Sequence, residues 1–296
     1  MRLDGVWTGI MPQDVAMRGS DYNSFDHDPI DHARFGAPAG ATGHGGGAPS
    51  EPAACTLVFD PVHDLATGRV SSLEARRRAA PSTTDADTAA AALGPARDGA
   101  LGHRTLGEAC RHLRGWRDAG CEDLRLSIDV SARDIARPTV VATVLAALSR
   151  HDLPTDAIEL EIDERTARTG GAAARTNLGR FQRLGVRLAI DVFGRDAAPL
   201  AILRDLEVDT VKLDPTIVRG LGSPLRAPHF ALALIDAMTL VARHLDVVIV
   251  ACGVDTVTAH DTVRNLDCRA AQGPFYGPTL TTTTVVEYVQ ERLPPA

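Results

Sequence analysis

Aromatic residues are scarce, at 4% of 296 positions, so any core must rest on Ala, Val, Leu and Ile. Lysine is scarcer still: Lys212 is the only one, and the remaining basic charge is arginine. No apolar run approaches the roughly 20 residues that cross a bilayer. No basic stretch followed by an apolar one opens the chain, as an export signal would require. The five cysteines (Cys55, Cys110, Cys121, Cys252, Cys268) are scattered, odd in number and never spaced Cys-x-x-Cys. That pattern speaks against a disulfide framework and against a zinc ribbon. Reduced thiols in a cytoplasmic protein off the membrane are the expectation. An excess of basic charge is also missing, and a net charge of −7 argues against a nucleic-acid polymer as partner. Neither a Gly-rich dinucleotide fingerprint nor a P-loop occurs.

What is present divides in two. Residues 1–52 are acidic and dotted with histidine from Asp21 to Arg34, then rich in Gly, Ala and Pro. Such a segment buries too little apolar surface to offset its chain entropy and reads as disordered. Residues 53–296 read as one domain. Cys55 to Val62 and Val70 to Arg76 are strand-like and joined by a short Gly-containing connection, which predicts an antiparallel hairpin. After a low-complexity stretch from Ala79 to Gly102, Leu106 to Trp116 has helical spacing.

Strand-like and helix-like runs then alternate. Strands are expected at Leu124–Val130, Ile158–Ile162, Val186–Val192, Thr210–Leu213, Val247–Ala251 and Ala270–Gln272. Helices are expected at Thr139–Ser149, Ala172–Leu184, Leu200–Leu206, His229–His244 and Val257–Asn265. About eight strands over roughly 240 residues fit an α/β fold of the TIM-like (β/α)8 type, with an antiparallel first strand, better than an open sheet.

In such a barrel, polar residues closing the strands are the functional candidates. They are Glu74, Asp129, Glu161 with Glu164, Asp191, and Lys212 with Asp214. Carboxylates that converge in a barrel mouth repel one another unless a cation relieves them. Their hard oxygens suit Mg²⁺, Mn²⁺ or Ca²⁺.

Eight segments then fall in order: Asp60-Pro61-Val62, Leu73-Glu74-Ala75, Ile128-Asp129-Val130-Ser131, Glu159 to Glu164, Asp191-Val192-Phe193-Gly194, Val211-Lys212-Leu213-Asp214, Cys252-Gly253-Val254-Asp255 and Gln272-Gly273. Their spacing resembles that of EAL domains, which hydrolyse the bacterial second messenger cyclic di-GMP, from about residue 55 to the C-terminus. The resemblance implies that Glu74, Asp129, Glu161 and Asp191 match the ligands of a first metal, with Asp129 where the family has Asn. Lys212 matches the family lysine near the attacking water. Glu164, Asp214 and Gln272 also match, and Arg78 matches an arginine able to contact a phosphate.

Two departures remove groups that the family uses. Val192 stands at the second Asp of the DDFG motif, which a second metal requires. Cys252 stands at the first Glu of AEGVE, and Asp255 shortens the later Glu. The loop Arg195 to Pro199 departs from the family's Gly/Thr/Tyr/Ser run. Arg76 and Arg77 replace two leucines and make a triple arginine, read either as a fraying strand end or as an enlarged anion site. Asp60 replaces Gln and is expected to make the pocket more anionic.

The expectation is therefore a barrel holding at most one divalent ion. It acts in cyclic-di-GMP-related signalling by binding a protein partner, cyclic di-GMP or both rather than by hydrolysis, and a homodimer is compatible with the family. Two alternatives stand beside it. One is a weak metal-dependent phosphodiesterase giving linear pGpG, and the other an unrelated barrel enzyme with Cys252 as nucleophile.

Overall fold

A computed structural model describes residues 55–79, 103–194, 201–221 and 227–292. The expected disorder of residues 1–52, the low-complexity stretch after Ala79 and the loop Arg195 to Pro199 lie outside the described residues.

The first hairpin forms as its sequence predicts. β1 (Cys55–Asp64) pairs antiparallel with β2 (Val70–Ala79). Asp64 closes the turn by accepting the N–H groups of Thr67 at 2.8 Å and Ala66 at 3.1 Å, and Gly68 supplies the positive φ of +73° that L side chains avoid. Six further strands follow in parallel: β3 (Arg125–Asp129), β4 (Ile158–Asp163), β5 (Arg187–Phe193), β6 (Thr210–Leu213), β7 (Val248–Cys252) and β8 (Ala270–Gln272). β8 closes on β1 antiparallel, so the eight strands form a closed barrel with β1 running against both neighbours.

The period-2 alternation of the strands sorts two environments. Leu73, Ile128, Leu160, Ile162, Ile190 and Val211 are all buried under the helices, in one continuous apolar shell. Each such burial contributes roughly 1.5–3 kcal/mol. The main helices of that shell are α1 (His103–Asp118), α3 (Val140–Arg150), α5 (Gly171–Arg183), α8 (Ala227–Leu245) and α9 (Val257–Asn265), with the shorter α6 (Ala201–Asp205) adding Ile202 and Leu203. No helix among the described residues is long and apolar enough to cross a membrane.

The alternate residues face the barrel axis. Barrel interiors are ordinarily packed with branched apolar chains. Here the apolar part of the axis reduces to a small cluster of Val62, Val250, Cys252 and Ala270. Ser127, Glu159, Thr210, Lys212 and Glu161 line a cavity of about 350 Å³ toward the N-terminal strand ends.

Four short helices absent from the sequence reading sit where strands hand over to loops: α2 (Ala132–Ile135), α4 (Glu164–Thr169), α7 (Pro215–Gly220) and α10 (Val285–Gln290). The first three begin at a side-chain cap, from Ser131, Asp163 and Asp214 respectively. β2 runs unbroken through Arg76, Arg77 and Arg78, so the strand end does not fray at the triple arginine.

Candidate functional site

Strand alternation aims Glu74, Asp129, Glu161, Asp191, Lys212, Cys252 and Gln272 toward the C-terminal mouth, each from a different strand. The centre of this group is Lys212, only 3% exposed. Its Nζ donates to Glu74 Oε2 at 2.7 Å and to Glu161 Oε1 and Oε2 at 2.8 and 2.7 Å. Gln272 Nε2 donates to the same Glu74 oxygen at 2.7 Å. A buried ammonium survives only with such partners, since an unpaired one loses its hydration without return.

One ammonium does not balance four carboxylates. Asp129, Glu161 and Asp191 bring carboxylate oxygens within 4.8 Å of one another. Burial, reinforced by Glu74 and Asp191, pushes Asp129 from its ordinary 3.8 up to about 7. Burial also raises Glu161 well above the usual range, with Glu74, Asp191 and Asp129 adding to it against the pull of Lys212. Burial acts upward on Glu74 as well, but the Lys212 charge and the hydrogen bonds from Lys212 and Gln272 outweigh it, and Glu74 lies below its ordinary value.

A hard divalent cation fits the Asp129–Glu161–Asp191 triad, because it would relieve the carboxylate repulsion that adds to burial in raising Asp129 and Glu161. Glu74, which the resemblance matches to the same metal, accepts from Lys212 and Gln272.

Asp129 gives a test. Its stability contribution is complete below about pH 4 and is lost as the pH rises through about 7, the sign for a raised carboxyl pKa. In chelator, Asp129→Asn is expected to raise the melting temperature more at pH 8 than at pH 5. Equal shifts at the two pH values, followed by circular dichroism, would contradict this account of the cluster.

The position of a second cation does not fit one. Val192 presents only alkyl atoms, and its backbone has φ +51°. A β-branched residue in the left-handed region is strained by about 1–3 kcal/mol. It sits where the β5–β6 register shifts between Ile190 and Phe193, a bulge beside Asp191. Cys252 is buried, and burial drives its thiol well above the ordinary value despite Lys212. It is therefore neither a thiolate nor a hard-ion ligand at neutral pH, and the reading of Cys252 as a nucleophile gains no support.

The remaining sequence candidates scatter. Asp214 is fully buried and caps α7, accepting Thr216 N at 2.7 Å. Glu164 opens α4 and is buried. Arg78 is exposed at the outer end of β2, two residues beyond Arg76. Asp255 is exposed past β7.

One expectation is corrected. Asp60 does not add uncompensated negative charge, because it forms an ion pair with Arg76. Thr279 joins them, donating to Asp60 Oδ1 at 2.6 Å and accepting from Arg76 Nη2 at 3.4 Å. Asp60, Arg76 and Thr279 line the mouth with Glu74, Asp191 and Lys212, around a cavity of about 480 Å³. Sequence reasoning named neither Thr279 nor Arg219, which also lines this cavity. The usable signal for the pairing was the hairpin register, which sets Asp60 opposite Glu74 and Val58 opposite Arg76.

Comparison with known proteins gives a consistent picture. Residues 53–279 match the family model described as EAL domain. The bifunctional diguanylate cyclase/cyclic di-GMP phosphodiesterase MucR of Pseudomonas aeruginosa is 32% identical over 177 residues, which is 60% of this chain and 25% of that protein. An uncharacterized protein of Mycobacterium tuberculosis is 31% identical over 225 residues, 74% of this chain and 36% of its own length. The chain thus spans about a quarter to a third of these relatives. Among solved structures, the EAL domain of Mycobacterium smegmatis DcpA superposes with a TM-score of 0.69 at 27% identity, covering 82% of this chain and 100% of that one. The MucR phosphodiesterase in complex with cyclic di-GMP gives 0.68 at 26% identity, covering 78% and 94%.

Proposed function

The chain belongs to the EAL domain family, and from that premise we propose that its barrel binds cyclic di-GMP in signalling without hydrolysing it. The observation that carries this reading is the mouth itself. It keeps an open cavity of about 480 Å³ over an ion-paired floor, while Val192 stands where a second cation would need a donor and Cys252 where the resemblance places a glutamate near the attacking water. A single divalent ion on Asp129, Glu161 and Asp191, whether Mg²⁺, Mn²⁺ or Ca²⁺, would supply charge to phosphoryl oxygens.

The chain's own groups bind and orient. Lys212 holds Glu74 and Glu161 in place and Gln272 fixes Glu74, while Arg78, which the resemblance matches to a phosphate contact, stands exposed at the outer strand end. The two objections that the sequence raised to a dianionic ligand weaken, because Asp60 is paired with Arg76 and burial pushes Asp129 up from the usual carboxylate range. Output then runs through a protein partner that reads the loaded barrel.

A second reading, slow hydrolysis to linear pGpG, is favoured by the convergence of Asp129, Glu161 and Asp191 beside a retained Lys212. Losing one metal's share of transition-state stabilisation costs several kcal/mol, which is orders of magnitude in rate. The two readings separate in a chromatographic turnover assay with Mg²⁺ or Mn²⁺. The proposal expects cyclic di-GMP recovered intact. Linear product that disappears in Glu74→Ala would establish the hydrolase instead.

A further inference from the structure

Among the described residues, three cationic side chains line the mouth: Lys212, Arg219 and Arg76. Lys212 is committed to Glu74 and Glu161, with each of these bonds at 2.8 Å or less. Arg219 is exposed at the rim, on the short helix α7. Arg76 is placed differently. It lies two residues beyond Glu74 on β2, so strand alternation puts its side chain on the same inward face, one step nearer the entrance.

Its guanidinium is held through Nη2, which meets Asp60 and Thr279, while 34% of the side chain stays exposed where it lines the mouth. An arginine fork offers five N–H donors in a plane that matches phosphate oxygens. Asp60 also tethers the fork through Thr279, on the segment after β8, so that little side-chain freedom remains to be lost on binding.

We propose that Arg76, tethered by Asp60 and Thr279, is the phosphate-recognition residue of this mouth and lets the barrel hold a phosphodiester ligand without a divalent cation. This rests on the reading that the mouth accepts cyclic di-GMP. The resemblance places a leucine at position 76 and a glutamine at position 60. Both positions therefore depart from the family pattern, and the two departures make sense together: the arginine brings the charge and the aspartate fixes its geometry.

The test is equilibrium titration of cyclic di-GMP into the full chain, once with Mg²⁺ and once with EDTA. For the wild-type protein the affinity is expected to change by less than about threefold on chelation. Arg76→Leu is expected to weaken binding by roughly 10- to 100-fold in either buffer, the worth of hydrogen bonds to a charged group. Because that variant leaves Asp60 unpaired, the double variant Asp60→Gln, Arg76→Leu is measured beside it, with melting curves for both. It removes both charges together, and it is expected to fail in EDTA while remaining folded.

Binding that survives in the double variant at the wild-type level overturns the proposal, as does wild-type binding that vanishes in EDTA. No binding by the wild type in Mg²⁺ overturns the broader reading of the mouth instead. Arg76→Lys separates fork from charge: it is expected to bind more weakly than wild type and more tightly than Arg76→Leu. If the lysine variant binds no better than the leucine variant at unchanged melting temperature, the fork alone is at work. If it binds as tightly as wild type, the fork geometry is contradicted.

Discussion

Lys212→Met is expected to destabilise the barrel by about 3–5 kcal/mol, the cost of leaving buried carboxylates without their counter-charge. For a domain of this size that is a fall in melting temperature on the order of 10 °C. The methionine keeps the length of the side chain, so packing changes little and the loss is electrostatic. Glu74 and Glu161 both meet the ammonium, Glu161 through both oxygens. Without it they face each other, Asp129 and Asp191 across the axis.

The sign of the pH dependence follows. Glu161 already has its carboxyl raised by burial and neighbouring acids, so its stability contribution is greatest in acid and is lost as the pH rises through its folded value. Removing Lys212 raises it further. The deficit of the variant should therefore shrink at pH 5 and grow at pH 8, and Mg²⁺ should recover part of it by binding only the folded state. A melting temperature within about 2 °C of wild type at pH 8 in EDTA, less than 1 kcal/mol by the same scaling, would show that the ion pairs of the floor carry little stability.

The second large effect is a gain. Val192→Asp with Cys252→Glu puts oxygen donors back at the two positions where the resemblance places catalytic groups. Aspartate also tolerates the left-handed backbone that valine occupies at φ +51°, so the exchange relieves strain rather than adding it. The variant is expected to bind a second divalent ion and to convert cyclic di-GMP to its linear form at least about 100-fold faster than wild type, a few kcal/mol of transition-state stabilisation. Metal stoichiometry from titration, one for the wild type against two for the variant, checks the cause separately from the rate. A second ion without turnover would assign the loss of activity elsewhere in the site. No second ion would remove Val192 as its explanation.

Much of the fold was legible because its signals are local. The alternation in Ile158 to Asp163 and the repeated strand–helix spacing need only neighbouring residues, and the barrel follows from their count. The recurrence of acids at strand ends placed most of the mouth. What escaped depends on partners distant in sequence or on backbone angles. The Asp60–Arg76–Thr279 tether joins residues from the first hairpin to a segment more than 200 positions later in the chain, and its three-way geometry appears only on closure of β8 against β1.

Glu74 shows the same limit. Its carboxylate type suggested a metal ligand, but that Lys212 and Gln272 both reach it is visible only in the closed barrel. The short helices after β3, β4 and β6 were marked by Ser131, Asp163 and Asp214, capping residues that the strand-end reading took for loop or for ligand. Val192 was read as a lost ligand. Its strained backbone is a feature of the bulge, invisible without φ.

The measurement that bears most directly on this protein is calorimetric titration of cyclic di-GMP into the full chain with Mg²⁺ present, followed by chromatography of the recovered nucleotide. Saturable binding with one dinucleotide per barrel and intact cyclic di-GMP at the end is the expected result. A flat titration, or a recovered pool converted to linear pGpG, would contradict it.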